Sequence, residues 1–366
     1  MYQSFGIKNF RCFDDFNVDG LNRINLFAGK NDVGKTTLLE ALFIHSGAYN
    51  ANHAITVNML RGFNQFEIHS TNKETPLNLL FKDFDLEKPI EFKSKSDEQK
   101  VRKSIFQLID KPAELNHFIT TYFQNKQQTD SVLTTLDITQ LFKLQNEEFI
   151  EKNVIDTNKS ISHYLLLNSK GISQLPTIPP PFETMFFSTK GNPSFNEEAN
   201  RFGKVASLKK KDQLIRALQI IEPRIKDIEQ SNFSGLPLIS VDIGLDRLIP
   251  ISVMGQGLSR MLSFVLGIMN AENGVILIDE IENGIYFENL PIMWKYLMTL
   301  AENLNVQIFA TTHSLECINA AFNGIPTKKK INFSYFRLDR KNGQIVPTLY
   351  DKESFETTMD LGLDVR

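Results

Sequence analysis

The sequence predicts an α/β fold with parallel strands at its centre, and three stretches of chain carry that prediction. Ile24, Leu26, Phe27 and Ala28 read as a short buried strand running into a glycine-rich loop, and Thr37 to Ile44 (TLLEALFI) reads as the helix leaving it. Val275-Ile276-Leu277-Ile278 is a continuous apolar run, the pattern of a central parallel strand covered on both faces. Val306 to Ala310 is a second such strand and ends in Thr311-Thr312-His313-Ser314.

The loop after the first strand is the most specific of these signals. Gly29-Lys30-Asn31-Asp32-Val33-Gly34-Lys35-Thr36 satisfies G-x-x-x-x-G-K-[ST], and it stands between strand and helix as that motif requires. Glycines let the backbone turn tightly enough to aim several N–H groups at phosphate oxygens, and the helix N-terminus adds positive potential. Gly29, Asn31, Asp32, Val33 and Gly34 are therefore candidate phosphate-loop residues. Lys35 is expected to hold the β and γ phosphates of ATP, Thr36 to place its hydroxyl on Mg²⁺, and Thr37 to add a second phosphate contact.

The second strand ends in Asp279 and Glu280, at the carboxyl edge where open α/β sheets place ligand chemistry. Asp279 is expected to hold Mg²⁺ through its water shell, and Glu280 to orient or deprotonate the attacking water. His313, just past the third strand, is the candidate γ-phosphate sensor; the other five histidines lack this placement. Between loop and acidic strand, Gly255-Gln256-Gly257 opens the apolar helix MLSFVLGIM, and two glycines at a helix start form a second anion site from bare N–H groups.

Composition bounds the rest. At roughly 100–200 residues per domain, 366 residues hold one large domain with an insertion, or two domains. A hydrophobic fraction of 42%, 29 phenylalanines and 23% charged residues describe a packed globular chain. Forty Lys and Arg against 43 Asp and Glu give a net charge of −3, which supplies no global attraction to DNA or membranes. Cys12 and Cys317 alone rule out a disulfide framework or thiolate cluster and fit a reducing cytosol. The amino terminus lacks a signal-peptide core and no run approaches the roughly 18 apolar residues of a membrane span, so the expectation is a soluble, cytoplasmic protein without a membrane partner.

Together these motifs resemble the ABC-type ATPase heads of the SMC and RecF class, and most closely the OLD-like ATPases of bacterial defence. Ile7 to Phe13 (IKNFRCF) looks like that class's first strand, GKNDVGKTTLLEAL like its Walker A, VILIDEIENG like its Walker B and D-loop, MGQGLSRML like its signature motif and ATTHS like its switch histidine. The resemblance covers residues 1–95 and 183–366, a discontinuous head with a mixed central sheet. It implies a head-to-tail homodimer, or a higher even-numbered assembly, in which Gly255 to Gly257 of one subunit cap the γ-phosphate held by Lys35 of the other. It also implies that Arg11 approaches the nucleotide. MGQG lacks the serine that usual signatures carry before their glycine pair, leaving Ser252, Ser259 or backbone donors to serve. Tyr286 stands where relatives often have histidine.

Residues 96–182 turn polar, with stretches such as NKQQTD and LQNEEF, and read as a small helical insertion without a sustained heptad. Thr177 to Pro181 (TIPPP) reads as its exit linker, and Phe186-Phe187 as a strand returning to the head. The Lys209–Lys211 and Lys328–Lys330 runs are the two basic stretches a DNA contact could use. The favoured function is a regulatory ATPase of a defence system acting on a separately encoded effector nuclease. Nuclease relatives carry a further acidic domain after the head, whereas this chain ends about 50 residues past His313. The alternatives are a RecF-like repair ATPase acting on DNA and a nucleotide-gated scaffold that does not hydrolyse.

Overall fold

The computed structural model describes the chain except for residues 48–49, 64–73, 98–99, 124–137, 151–158, 169–170, 176–181, 190, 192, 326–331, 362–364 and 366. Its centre is a six-stranded mixed sheet. β9 (Thr184–Phe187), β13 (Val275–Ile278), β14 (Gln307–Thr311), β3 (Ile24–Gly29) and β15 (Phe333–Lys341) run parallel in that order, and β16 (Gln344–Tyr350) closes one edge antiparallel. A seven-stranded antiparallel sheet holds, in order, β2 (Phe13–Asp19), β1 (Tyr2–Phe10), β4 (Ile90–Ser96), β5 (Lys100–Leu108), β6 (Ile138–Ile150), β7 (Lys159–Asn168) and β8 (Gly171–Leu175). A small sheet of β10 (Asp227–Phe233), β11 (Leu236–Asp242) and β12 (Ile249–Pro250) completes the β structure.

The mixed sheet separates two cores, and its side chains alternate between them with the period of two that strands impose. Ile276 and Ile278 of β13, Ile308 and Ala310 of β14, and Leu26 and Ala28 of β3 enter one core. It is filled from α4 (Phe195–Ser207), α5 (Lys211–Leu218), α6 (Gln256–Asn270), α7 (Leu290–Asn303), α8 (Leu315–Gly324) and α9 (Lys352–Asp360). Leu277, Phe309 and Phe27 point the opposite way, into a core shared with the antiparallel sheet and with α1 (Lys35–Ser46).

Lying between two sheets, α1 is buried continuously from Thr37 to Ser46. Its polar residues must therefore find partners inside. His45, fully buried, has Nδ1 2.8 Å from the Ser104 hydroxyl and Nε2 2.8 Å from that of Ser94, which fastens the helix's last turn to β5 and β4. Burial, assisted by the neighbouring Arg102, holds its pKa well below the ordinary histidine value, so the ring is neutral. α2 (Asn52–Met59) follows α1 and leads to Arg61, which returns to Glu40.

The expectation of a helical insertion over 96–182 does not hold. The described residues there are mainly the strands β5 to β8, which extend the sheet begun by β1 and β2; the helix among them is α3 (Pro112–Phe123). Two-sided burial hid the strand period. Phe142, Leu144, Leu165 and Leu167 face the core under α1, while Leu141 and Leu166 pack with Phe118 and Ile119 of α3 on the other face. With both faces apolar, LLL and LF runs lose the alternation that marks a half-buried strand. Phe186-Phe187 returns to the head as β9, as expected, and Thr177 to Pro181 lie outside the described residues. Among the described residues no helix is long and apolar enough to cross a membrane.

Packing of α6 on the sheet depends on Gly267, where a Cβ would stand 2.5 Å from the Phe187 ring; at Gly203 of α4 nothing lies within 4 Å. Urea unfolding should therefore show Gly267→Val destabilised by about 1–3 kcal/mol through overpacking. Gly203→Ala should gain about 0.5–1 kcal/mol from helix propensity.

Candidate functional site

β3 delivers the chain into the phosphate loop at Gly29, where φ is 145° and a Cβ would stand 2.5 Å from the Leu338 carbonyl oxygen and 2.9 Å from Val33. Only glycine fits. Gly34, at φ 83°, turns the loop into α1, and its Cβ would strike Phe13 and Cys12 at 2.8 and 2.9 Å. Val33 anchors the loop in the core, while Lys30, Asn31 and Asp32 are exposed. Lys35 Nζ donates to the loop's own carbonyls, Gly29 O at 2.6 Å and Lys30 O at 2.9 Å. Burial lowers its pKa, and Asp279, Glu280, Glu282 and Asp32 pull in the opposite direction. An ammonium that donates to two carbonyl oxygens at the mouth of a helix is set to donate to phosphate oxygens in their place.

Three elements converge on Asp279, which is 3% exposed at the tip of β13. Thr36 Oγ1 of α1 donates to its two carboxylate oxygens at 3.0 and 3.1 Å, and Thr311 Oγ1 of β14 donates to Oδ1 at 2.7 Å. Burial raises the Asp279 pKa, and the two hydroxyls oppose it. A carboxylate beside a threonine hydroxyl is a hard-oxygen donor set, which suits Mg²⁺.

Glu280 follows at φ 46°, a left-handed conformation that costs a non-glycine residue about 1–3 kcal/mol. Its N–H donates to Thr311 Oγ1 at 2.9 Å, and Asn283 Nδ2 donates to its Oε2 at 2.6 Å. His313 comes to the same place from β14. Its Nδ1 lies 3.8 Å from Glu280 Oε1 and 3.3 Å from Glu282 Oε1, and its backbone N–H donates to Glu282 at 3.0 Å. The ring is about half exposed. Ser314 Oγ accepts the Cys317 N–H and caps α8. The Cys317 thiol, buried beside Glu282, is pushed up to about 12.

The structure thus gathers Gly29 to Thr37, Asp279, Glu280 and His313 at one edge of the mixed sheet. Arg11, at φ 48° in the turn between β1 and β2, is tied to α1 and α2: Nε lies 3.2 Å from Glu40 and Nη2 donates to Asn58 at 3.1 Å. Gly255, at φ 124°, caps α6 with Gln256 exposed beside it. Among the described residues no hydrogen bond joins Gly255–Gly257 to the loop at 29–37. Ser259 Oγ donates back to the Ile251 and Gly255 carbonyls, and Ser252 is exposed. Tyr286 and Phe287, 59% and 55% exposed, form an aromatic pair after the Asn283-Gly284 turn. In the first basic run Lys211 is paired with Asp227 at 2.7 Å; Lys328 to Lys330 lie outside the described residues.

Four residues of the site were not singled out from the sequence. Glu282 holds His313, and Glu40, 1% exposed, holds both Arg11 and Arg61. Arg61 also reaches the Thr37 hydroxyl at 3.5 Å. Arg260 of α6, 7% exposed, donates through Nη2 to the carbonyls of Asp279 at 3.2 Å and Glu280 at 3.0 Å. Each depends on a partner that only the fold brings close; the E-x-E spacing of Glu280 and Glu282 was the one visible hint.

Because the folded pKa of Asp279 is raised, its protonated form contributes stability below the ordinary aspartate value of 3.8, and that contribution is lost as pH rises through the folded value. At neutral pH the protein carries the cost of a buried carboxylate. Without added nucleotide or metal, Asp279→Asn is therefore expected to melt above wild type at neutral pH, with the gap closing as the pH approaches 3.8, followed by thermal unfolding across that range.

The chain is similar over nearly its whole length to an ATP/GTP phosphatase of Helicobacter pylori, 25% identical over 402 aligned positions that cover 97% of each protein. It is 34% identical over 122 residues, 31% of the chain, to an uncharacterized protein of Methanocaldococcus jannaschii that it covers almost completely. Among solved structures it shares the fold of an SMC head bound to the C-winged helix domain of ScpA, with a TM-score of 0.50, 11% identity and coverage of 97% of this chain and 99% of that one. The central mixed sheet with its phosphate loop is thus that of an ABC-type P-loop head, as the sequence predicts. Residues 24–319 match the family described as "AAA domain, putative AbiEii toxin, Type IV TA system". Matched over more than half its length, the chain belongs to that AAA-domain family.

Proposed function

We propose that the chain is an ATP-hydrolysing regulatory ATPase of the OLD-like kind, which closes head to tail on a second copy around two ATP–Mg²⁺ and so controls a separately encoded effector nuclease in anti-phage defence. The observation that carries the reading is the convergence of Lys35, Thr36, Asp279, Glu280 and His313 on one sheet edge, while the bare helix start at Gly255 makes, among the described residues, no hydrogen bond to the loop at 29–37. A phosphate cradle with a carboxylate base supplies hydrolysis, and a detached anion site supplies the other half of a composite site. The similarity to an ATP/GTP phosphatase supports turnover of nucleotide.

The residues divide the work by position. The N–H groups of the loop from Gly29 to Gly34 and the Lys35 ammonium bind the phosphates, and Thr37 adds a hydroxyl. Thr36 and Asp279 would hold Mg²⁺, which when bound neutralises charge on the phosphate oxygens. Glu280, its carboxylate steadied by Asn283, takes the proton of the attacking water. His313 is turned by Glu282 through Nδ1, which leaves the Nε2 side of the ring for the γ-phosphate or the attacking water. Arg11 and Arg61, clamped on Glu40, hold α1 and Thr37 behind the loop. Gly255 to Gly257 of the second copy cap the γ-phosphate through backbone donors, since Ser259 is engaged with its own chain.

Support for a protein effector comes from the family and from a solved structure of the same fold. The family is described by a toxin of a toxin–antitoxin system, a two-component arrangement, and an SMC head of the same fold carries a bound partner domain. A net charge of −3 and the Lys211–Asp227 pair count against the direct DNA contact of a repair ATPase.

Glu280→Gln should bind ATP, accumulate as a dimer by light scattering, and hydrolyse at least about 100-fold more slowly. Ordinary turnover would remove Glu280 as the base, and ATP-bound monomer would remove the dimer. Lys35→Ala should lose nucleotide binding itself, measured by calorimetry. Titration of duplex DNA binding against salt tests the repair reading, which strong and salt-steep binding without a partner would favour.

A further inference from the structure

We propose that Arg260 is a positioning residue that couples the two nucleotide sites of the dimer, by tying the helix that caps the partner's nucleotide to the backbone on which this chain's own Glu280 stands. The coupling rests on the head-to-tail reading above; the contacts that transmit it lie within one chain.

Both peptide units flanking Glu280 are gripped from two sides. In the unit before it, the Asp279 carbonyl accepts from Arg260 Nη2 and the Glu280 N–H donates to Thr311 Oγ1. In the unit after it, the Glu280 carbonyl accepts from the same Nη2 at 3.0 Å and the Ile281 N–H donates to the Thr311 carbonyl at 3.1 Å. One grip belongs to β14, a strand fixed in the centre of the sheet. The other belongs to α6, in the turn that follows Gly255 to Gly257. Glu280 sits between them at φ 46°, a conformation that surroundings must impose on a residue with a Cβ.

The first turn of α6 also rests directly on the loop after the acidic strand. A Cβ on Gly257 would stand 2.3 Å from the Gly284 carbonyl oxygen, and a Cβ on Gly284, at φ 75°, would stand 3.0 Å from the Gln256 side chain. Helix start and loop therefore move together. A small displacement of α6, on meeting a γ-phosphate held by the other subunit, is delivered through one guanidinium to the Asp279 and Glu280 carbonyls. Arg260 Nε supports this assignment. It is buried without an acceptor, while the side chain lies over the Phe264 ring at 5.1 Å. A buried charged donor left unpaired is costly, and an arrangement that satisfies it favours a second position for the side chain.

The experiment is ATP turnover against ATP concentration, with dimer mass followed by light scattering, in wild type, Arg260→Met and Arg260→Lys. Wild type is expected to dimerise with ATP and show a Hill coefficient above unity. Arg260→Met should still bind ATP and dimerise, with KM changed less than about threefold, kcat lowered about tenfold or more, and the Hill coefficient at unity. Arg260→Lys keeps the charge but not the planar fork, and should fall between them. It carries the same readout if the methionine variant folds poorly by circular dichroism. A dimerising variant that keeps the wild-type Hill coefficient overturns the coupling alone, as does a dimeric wild type without cooperativity. A wild type that remains monomeric with ATP overturns the head-to-tail reading and the coupling with it.

Discussion

The buried carboxylate of Asp279 is the constraint around which the rest of the site is arranged. Left alone at 3% exposure, a charged group in this position would be expensive, and the fold answers with two hydroxyls from two different elements, Thr36 and Thr311. Those hydrogen bonds fix α1 against β13 and β13 against β14. The phosphate loop is thereby placed over the acidic strand tip, and Thr311, through its side chain and backbone, also sets the conformation of Glu280. Binding chemistry and structural register are maintained by the same few atoms. A site built this way resists drift, because a shift of any one of the three elements strands a buried charge.

How much of this was legible in the sequence follows the range of the interactions. Strand, loop and helix around Lys35, the acidic tip at Asp279 and Glu280, and the placement of His313 were readable because each is encoded in one continuous stretch of chain. Arg260, Glu282, Arg61 and Glu40 were not, since Arg260 acts across about twenty residues and a helix-to-strand packing contact, and Arg61 across a chain reversal through α2. The region 96–182 was misread for a different reason. Its strands are covered by α3 on one side and by the α1 core on the other, so apolar residues fall on both faces and the period-two signal disappears.

The two cores give the head its mechanical character. α1 is enclosed between sheets and fastened at its last turn by His45, so the phosphate loop is carried on an element with little freedom. α6 packs on one face only of the mixed sheet, against Phe187 through Gly267, with its exposed start at Gly255. Rigidity sits where phosphates are held, and the surface-facing element is the one that meets another subunit in the proposed dimer. The exposed aromatic pair Tyr286–Phe287 follows the loop on which that element rests.

The alternation of β13 between the two cores also limits how the gene can change length. Val275 and Leu277 enter one core and Ile276 and Ile278 the other, with the chain emerging at Asp279 in register with Thr36 and Thr311. One residue gained or lost within the strand would exchange every side chain between cores and turn the carboxylate away from both hydroxyls. Insertions and deletions are therefore better tolerated in turns and in the outer strands of the antiparallel sheet, where β8 is the last strand among the described residues. The pleat of a four-residue strand thus favours changes of length at the periphery, far from the chemistry.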